Sequence, residues 1–527
     1  MDRPMPRSAH LLPLYLLACL LALAALGGLW YGLGKPVQLP DAASPTHKLQ
    51  CASYTPFDKD QSPYDRPFRL RPARMDADLA LLAERFQCIR TYSQTGLEAI
   101  PALARKHGLK VMLGAWVNAH PADTEKEIEL LIAAANANPD VVSAVIVGNE
   151  TLLRKEVTGA QLARLIVRVK SQVQVPVTYA DVWEFWLQHP QVAPAVDFLT
   201  IHLLPYWEDD PRGIDQALAH VADVRRLFGT RFAPKDIVIG ETGWPSEGRQ
   251  RETAVPSRVN EARFIRGFVA MAQSNGWSYN LIEAFDQPWK RANEGAVGGY
   301  WGLYDAERQD KGVLEGPVSN LPQWPQWWLA SALLAAVMLM FAGRPATPSA
   351  ALLLPLLAAL GAACLGLWGE LMRTHARFAG EWLWALLLAG LNLLVMAHVM
   401  LALARRAGWR ERLCAWLQAR AGWLLLAAGF AAAVSQLAMV FDPRYRSFPS
   451  AALALPALVF ALWPVPARRA EVALLAFIVG AGVAPQLFVE GLENQQAWLW
   501  ALVSLLMTAA LWRSLRITRK AAPTGAV

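Results

Sequence analysis

Two long apolar blocks, one near each end of the chain, leave only the middle stretch with a composition that folds in water. The first runs from Leu11 to about Gly32 behind Arg3 and Arg7. The second begins near Trp324 and holds about seven apolar stretches, centred near Leu334, Leu357, Leu391, Phe430, Leu458, Phe477 and Leu505. A run of about 20 apolar residues crosses a bilayer. Only 18% of the 527 residues are charged, against roughly a quarter in an ordinary soluble protein. With a mean hydropathy of +0.23, a wholly aqueous globule is excluded. The expected division is therefore an N-terminal transmembrane helix over 1–33, a folded ectodomain over 34–323, and a membrane domain with about seven transmembrane helices over 324–527. A cleaved signal peptide is the competing reading of the first block. The length of that block, and the lack of a small-x-small exit in Leu23-Ala24-Ala25-Leu26-Gly27-Gly28-Leu29-Trp30-Tyr31, argue against it.

The net charge of +7 belongs to membrane orientation rather than to nucleic acid. With a cytoplasmic N-terminus, the loops expected inside carry Arg344, then Arg405, Arg406, Arg410, Arg412 and Arg420, then Arg468 and Arg469, then Arg513, Arg516, Arg519 and Lys520. The alternate loops are poorer in cations, as the positive-inside rule requires. Eight spans with both termini cytoplasmic satisfy it, which puts the ectodomain on the periplasmic side of a bacterial inner membrane. No nucleic-acid partner is expected, and the lipid bilayer is. Of five cysteines, only Cys51 and Cys88 fall in the ectodomain, each near the start of a candidate strand; two buried thiols and a disulfide both suit that placement. No CxxC or HExxH spacing occurs, so neither a metal nor a cofactor is expected.

The ectodomain repeats one pattern, a short β-branched and aromatic run followed by an amphipathic stretch. The runs are Leu49 to Pro56, Cys88 to Ser93, Lys110 to Val117, Val141 to Glu150, Val175 to Trp183, Val196 to Tyr206, Ile237 to Trp244 and Tyr279 to Trp289. Near-continuous apolar strands alternating with helices predict a parallel sheet covered on both faces. Eight such units fit an α/β fold of the closed (β/α)8 TIM-barrel class, here joined to an all-α multi-span membrane domain. A doubly wound open sheet is disfavoured, because no GxGxxG follows the first strand and polar residues gather at the C-terminal strand ends.

Two strand ends carry chemistry. Val145-Ile146-Val147-Gly148-Asn149-Glu150 closes the fourth run on a carboxylate, and Ile237-Val238-Ile239-Gly240-Glu241-Thr242-Gly243-Trp244-Pro245-Ser246 brings another to the end of the seventh. A barrel brings those ends to one mouth. Paired carboxylates across a cleft are what glycoside cleavage needs: one protonates the leaving oxygen while the other, ionised, attacks the anomeric carbon or activates water. Either glutamate alone reads as a solvated rim residue; two at one depth favour the catalytic reading.

Gly148-Asn149-Glu150 and Gly240 to Ser246 resemble the two active-site motifs of glycoside hydrolase family 17, the β-1,3-glucanases and β-glucanosyltransferases, here in a bacterial membrane-anchored form. Ile89-Arg90-Thr91-Tyr92 resembles the family's second strand and Pro205-Tyr206 its sixth. Phe285-Asp286-Gln287-Pro288-Trp289-Lys290, with Glu294 and Gly302-Leu303-Tyr304, resembles its last strand and the loop beyond, except that the plant-type pattern has Glu where this chain has Gln287. The resemblance covers about Gln50 to Asp305. It implies a retaining mechanism with Glu150 as general acid/base and Glu241 as nucleophile, and with Asn149 on the sugar 2-hydroxyl. The expected substrate-binding set is Asn149, Tyr92, Tyr206, Trp244, Phe285, Trp289, Lys290 and Glu294, the aromatics serving as faces for pyranose rings.

In a retaining pair the carboxyls stand about 5–5.5 Å apart, so repulsion from Glu241 is expected to raise the pKa of Glu150. The partner implied is a β-glucan polysaccharide or oligosaccharide, with a glucan synthase as a further candidate. Whether water or a bound sugar hydroxyl attacks the glycosyl-enzyme decides between hydrolysis and transfer. A domain held outside the cytoplasmic membrane suits remodelling of glucan made there, hence transfer. Two other classes stay open: an idle glucan-binding barrel that feeds an export path, and a transporter. The scarcity of ionisable residues inside the apolar stretches counts against the transporter.

Overall fold

The computed structural model describes residues 11–42, 48–65, 69–405, 407–442 and 446–521. Arg3, Arg7 and Arg406 lie outside the described residues, as do the side chains of Arg519 and Lys520. The chain divides into two compact units, Val37–Val318 and, discontinuous in sequence, Met1–Pro36 with Ser319–Val527.

In the unit Val37–Val318, eight parallel strands close into a barrel: β1 (Leu49–Ser53), β2 (Phe86–Arg90), β3 (Lys110–Ala115), β4 (Val142–Asn149), β5 (Val177–Val182), β6 (Leu199–His202), β7 (Ile237–Thr242) and β8 (Ser278–Leu281), with β8 pairing back onto β1. The strands read as near-continuous apolar runs because helices cover their outer face and packed side chains fill the interior. Met112, Ala144, Ile146 and Ala180 form one such interior cluster. Outside, helix Pro72–Arg85 buries Met75, Leu79 and Leu82, at helical spacing, against the sheet. Local signals set several helix ends. Thr158 and Gln161 form a capping box at the start of Gly159–Lys170. Ser257 caps Arg258–Asn275, which stops at Gly276 in the left-handed region at φ 64°.

The second strand begins two residues earlier than expected and ends at Arg90, so Tyr92 lies beyond the ladder. Cys51 on β1 and Cys88 on β2 are register partners and are joined by a disulfide, which resolves the two alternatives the sequence left open. The unit is closed where the chain enters and leaves: Val37 and Val318 bond antiparallel, at 2.8 and 3.0 Å. Beside them the buried Arg266 donates to the carbonyls of Leu39, Pro40, Gly312, Val313 and Gly316.

The other unit is all helix. Among the described residues, seven helices are long and apolar enough to cross a membrane: Leu11–Gly34, Trp324–Ala342, Pro348–His375, Ala379–Leu403, Trp409–Phe441, Arg469–Glu490 and Gln495–Thr518. That is one fewer than the eight expected. The stretch near Leu458 forms a helix of only 13 residues, Ser450–Leu462, bounded by Pro449 and Trp463. At 1.5 Å per residue it is about 20 Å long, short of the roughly 30 Å hydrocarbon layer. Small side chains such as Ala351, Ala358 and Ala362 are buried in this unit, while Leu383, Leu386, Phe477 and Trp512 face outward. This distribution suits helices packing in lipid.

Candidate active site

Backbone irregularities at the C-terminal ends of β4 and β7 aim the two glutamates. The β4–β5 register slips between Ile146 and Asn149, and the β6–β7 register between Ile201 and His202, so that His202 pairs with Glu241. Such bulges re-aim side chains at barrel rims. Gly148 has φ 89°, and a Cβ there would lie 2.7 Å from Thr151 Oγ1. Two residues on, Glu150 itself sits at φ 51°, an uncommon conformation for a residue with a side chain. The turn carries the Glu150 carboxyl over the barrel mouth.

One carboxylate oxygen from Glu150, one from Glu241 and a ring nitrogen of His202 all lie within 4.8 Å of one another. His202 is fully buried between the glutamates, with Nδ1 3.0 Å from Glu150 Oε1 and Nε2 3.6 Å from Glu241 Oε1. Arg90, also buried, spans the floor. Its Nη1 stands 3.2 Å from Glu241 Oε1 and donates to the Gly240 carbonyl at 2.7 Å, while Nη2 donates to Asn149 Oδ1. That bond fixes the Asn149 amide with its oxygen toward Arg90, leaving the NH2 group to donate elsewhere. Tyr92 donates to Glu241 Oε1 at 2.9 Å, and its oxygen lies 2.7 Å from Ser53 Oγ. Burial and the charge of Glu241 push the Tyr92 phenol well above its ordinary range, so it remains a donor. A divalent cation has three donor atoms here, but the fixed guanidinium of Arg90 beside Glu241 opposes a second positive charge.

The electrostatics of Glu150 correct an expectation. Burial does push its carboxyl up, but the hydrogen bond and charge of His202, with Arg154 and Arg90 beyond, outweigh burial and hold it below the usual carboxylate range. Repulsion from Glu241 is not the deciding influence. Replacing His202 with Gln removes that stabilisation of the charged form, so the Glu150 pKa should rise. If Glu150 must be protonated to act, the alkaline limb of the kcat/KM–pH profile should then move to higher pH. A limb that stays put or moves down would count against the assignment.

The remaining expected contacts divide by burial. Trp289 is partly exposed, edge-to-face with Phe57 and Tyr64, and its Nε1 donates to Gln287 Oε1 at 2.8 Å. Lys290 donates to Glu283 at 2.7 Å. Burial raises Glu294 to about 7, partly offset by Lys290, with Glu283, Glu150 and Glu241 adding repulsion. Lys290 and Glu294 thus share the electrostatic field of the carboxylate pair. Three aromatics are corrected. Tyr206, Trp244 and Phe285 are about 1% exposed or less. The Tyr206 hydroxyl donates to the Arg249 carbonyl, the Trp244 indole to the Val255 carbonyl, and Phe285 packs on Tyr54 and Tyr304. They stiffen the loops at the mouth and present no face to a sugar.

Sequence reasoning missed His202, the roles of Arg90 and Ser53, and Glu283, which is buried and raised to about 6 by burial against the pull of Lys290. Glu283 stands two residues before the Phe285 motif, and His202 ends the sixth strand, so position was the available signal. Ser246 proves structural: Lys311 donates to its hydroxyl at 2.8 Å and to Asp286 at 3.1 Å, tying the loop after β7 to the loop after β8.

Residues 51–302 match the family model of the BtgE/BtgC glycoside hydrolase domain. A glucan 1,3-beta-glucosidase of Arthroderma benhamiae is 28% identical over 311 residues, 55% of this chain and 91% of that protein. Another, from Schizosaccharomyces pombe, is 30% identical over 253 residues, 44% of this chain and 77% of that protein. Among solved structures, the glycoside hydrolase family 17 beta-1,3-glucanosyltransferase from Rhizomucor miehei aligns at 25% identity over 50% of this chain and 96% of its own, with a TM-score of 0.45.

Proposed function

Because the chain belongs to the family of the BtgE/BtgC glycoside hydrolase domain, of the glycoside hydrolase family 17 type, we propose that its barrel cleaves β-1,3-glucan with retention and passes the glycosyl unit to a second glucan. The substrate class follows the two relatives named as glucan 1,3-beta-glucosidases. The observation that carries the mechanism is the approach of the two carboxylates, with oxygens within 4.8 Å at the barrel mouth. Retaining enzymes hold the pair about 5–5.5 Å apart, and inverting ones about 6.5–9.5 Å to admit a water.

In this reading Glu241, oriented by Tyr92 and Arg90, attacks the anomeric carbon. The glycosidic C–O bond breaks, and Glu150 gives its proton to the departing oxygen. The resulting ester removes the charge from Glu241. Glu150, now ionised and favoured in that form by His202, takes a proton from an incoming hydroxyl as that oxygen displaces the ester. Asn149 donates to the 2-hydroxyl. Lys290 and Glu294 border the site, and Trp289 offers an aromatic face to a neighbouring sugar.

We place the barrel outside the inner membrane, held by the apolar helices, with the N-terminus cytoplasmic and with a synthase of the same glucan as candidate neighbour. The Cys51–Cys88 disulfide suits an oxidising compartment. Elongation, branching or other remodelling of β-1,3/β-1,6-glucan suits an enzyme tethered there. Incubating the detergent-solubilised chain with laminaripentaose should yield products longer than the substrate. Only shorter products would turn the reading to hydrolysis, and unchanged substrate would favour the glucan-binding and export alternative.

A further inference from the structure

Helix Trp409–Phe441 has 33 residues and so spans about 50 Å, some 20 Å more than a hydrocarbon layer needs. Its uncharged part, residues 421–441, begins directly after Arg420. If the helical unit lies in lipid, the one element of the proposed reading used here, Arg420 stands at the boundary between hydrocarbon and headgroups. A cavity of about 540 Å³ opens there between this helix and Ala379–Leu403. Leu394, Leu417 and Leu424 line it, together with Trp416, Trp423 and Arg420.

The cations around this cavity are arranged for an anion. The Arg420 guanidinium lies over the Trp416 ring at 4.3 Å, its one protein hydrogen bond among the described residues a long one to the Trp416 carbonyl, and no carboxylate pairs with it. A second guanidinium, Arg468, lies over the Trp423 ring at 4.6 Å. Its segment is seated on the helix at Gly422, where a Cβ would come within 2.5 Å of the Pro466 carbonyl. Among the described residues, the ion pair of Arg468 is an exposed one with Glu471, at 3.4 Å. Arg420 on Trp416, and Arg468 on Trp423, place one guanidinium on each of two indoles that line an aliphatic groove; this matches a phosphodiester with acyl chains beneath it, since the fork geometry suits phosphate and basic pockets between membrane helices favour anionic headgroups.

We infer that this groove binds one anionic phospholipid, with its phosphate between Arg420 and Arg468 and its acyl chains along Leu394, Leu417 and Leu424. The test uses the full chain in mild detergent with added dioleoylphosphatidylglycerol or dioleoylphosphatidylcholine, read by native mass spectrometry and by thermal unfolding. One phosphatidylglycerol should be retained per chain, with a roughly 10- to 30-fold preference over phosphatidylcholine from two interfacial arginines, and the unfolding midpoint should rise with phosphatidylglycerol alone. Arg420→Gln with Arg468→Gln should erase the preference and the rise, while Arg410→Gln with Arg412→Gln, an equal loss of charge on the same helix, should keep both. Equal retention of the two lipids by the unaltered chain would overturn the inference, as would an Arg420/Arg468 double variant that keeps the preference. A rise with inorganic phosphate equal to that with phosphatidylglycerol would overturn the lipid assignment. A chain that stays soluble and monomeric without detergent would instead overturn the membrane reading, and laminaripentaose turnover reports separately on the barrel.

Discussion

Replacing Glu241 with Gln should lower the rate of laminarin cleavage by roughly a thousandfold or more, because an amide of the same shape cannot form the glycosyl ester. The substitution preserves packing. The Gln oxygen can still accept from Tyr92, whose hydroxyl now stands 2.9 Å from Glu241 Oε1, so the thermal unfolding midpoint should stay close to that of the unaltered chain. Initial rates of reducing-end release, measured beside that midpoint, separate lost chemistry from lost structure. Residual activity above about a tenth of the original, where removal of a nucleophile costs orders of magnitude, would remove Glu241 from the nucleophile role.

Glu150→Ala should behave differently, and the difference identifies the acid. Cleavage of laminarin, whose leaving group is a sugar hydroxyl, should fall by about 10²–10⁴-fold, the range assigned to positioned proton transfer. A β-glucoside with an acidic phenol as leaving group needs little protonation, so its first step should be nearly unimpaired, with the glycosyl-enzyme accumulating instead. Azide, which needs no base to attack, should then restore turnover of that substrate and give a β-glycosyl azide. An α-product would contradict retention. Equal losses on both substrates, with no response to azide, would contradict the acid/base role.

How far the sequence could be read depended on where the information lay. The barrel was legible because each strand announces itself locally, as in the run Ala144 to Gly148 of β4, and the carboxylates because each stands at the end of such a run. His202 was not. Its importance comes from β4, β6 and β7 converging around one imidazole, with contacts 52 and 39 residues away in sequence, and no local pattern encodes that convergence. The direction of the Glu150 shift failed for the same reason: a sequence argument that weighed two carboxylates had no means of inserting a histidine between them. Tyr206, Trp244 and Phe285 were misplaced because an aromatic at a strand end has the same sequence signature whether it faces a groove or packs under it. The disulfide stayed open until the register put Cys51 beside Cys88.

The pairing of Val37 with Val318, reinforced by the five carbonyls gathered on Arg266, has a genetic consequence. A domain whose two ends already touch behaves as a cassette: it drops into a loop of a host protein, or out of one, with little cost in closure entropy. Linking residues 37 and 318 with a short peptide and opening the chain at an exposed turn gives a circular permutant, and recombination in nature needs only one cut at each of these two positions to move the barrel into a different host chain.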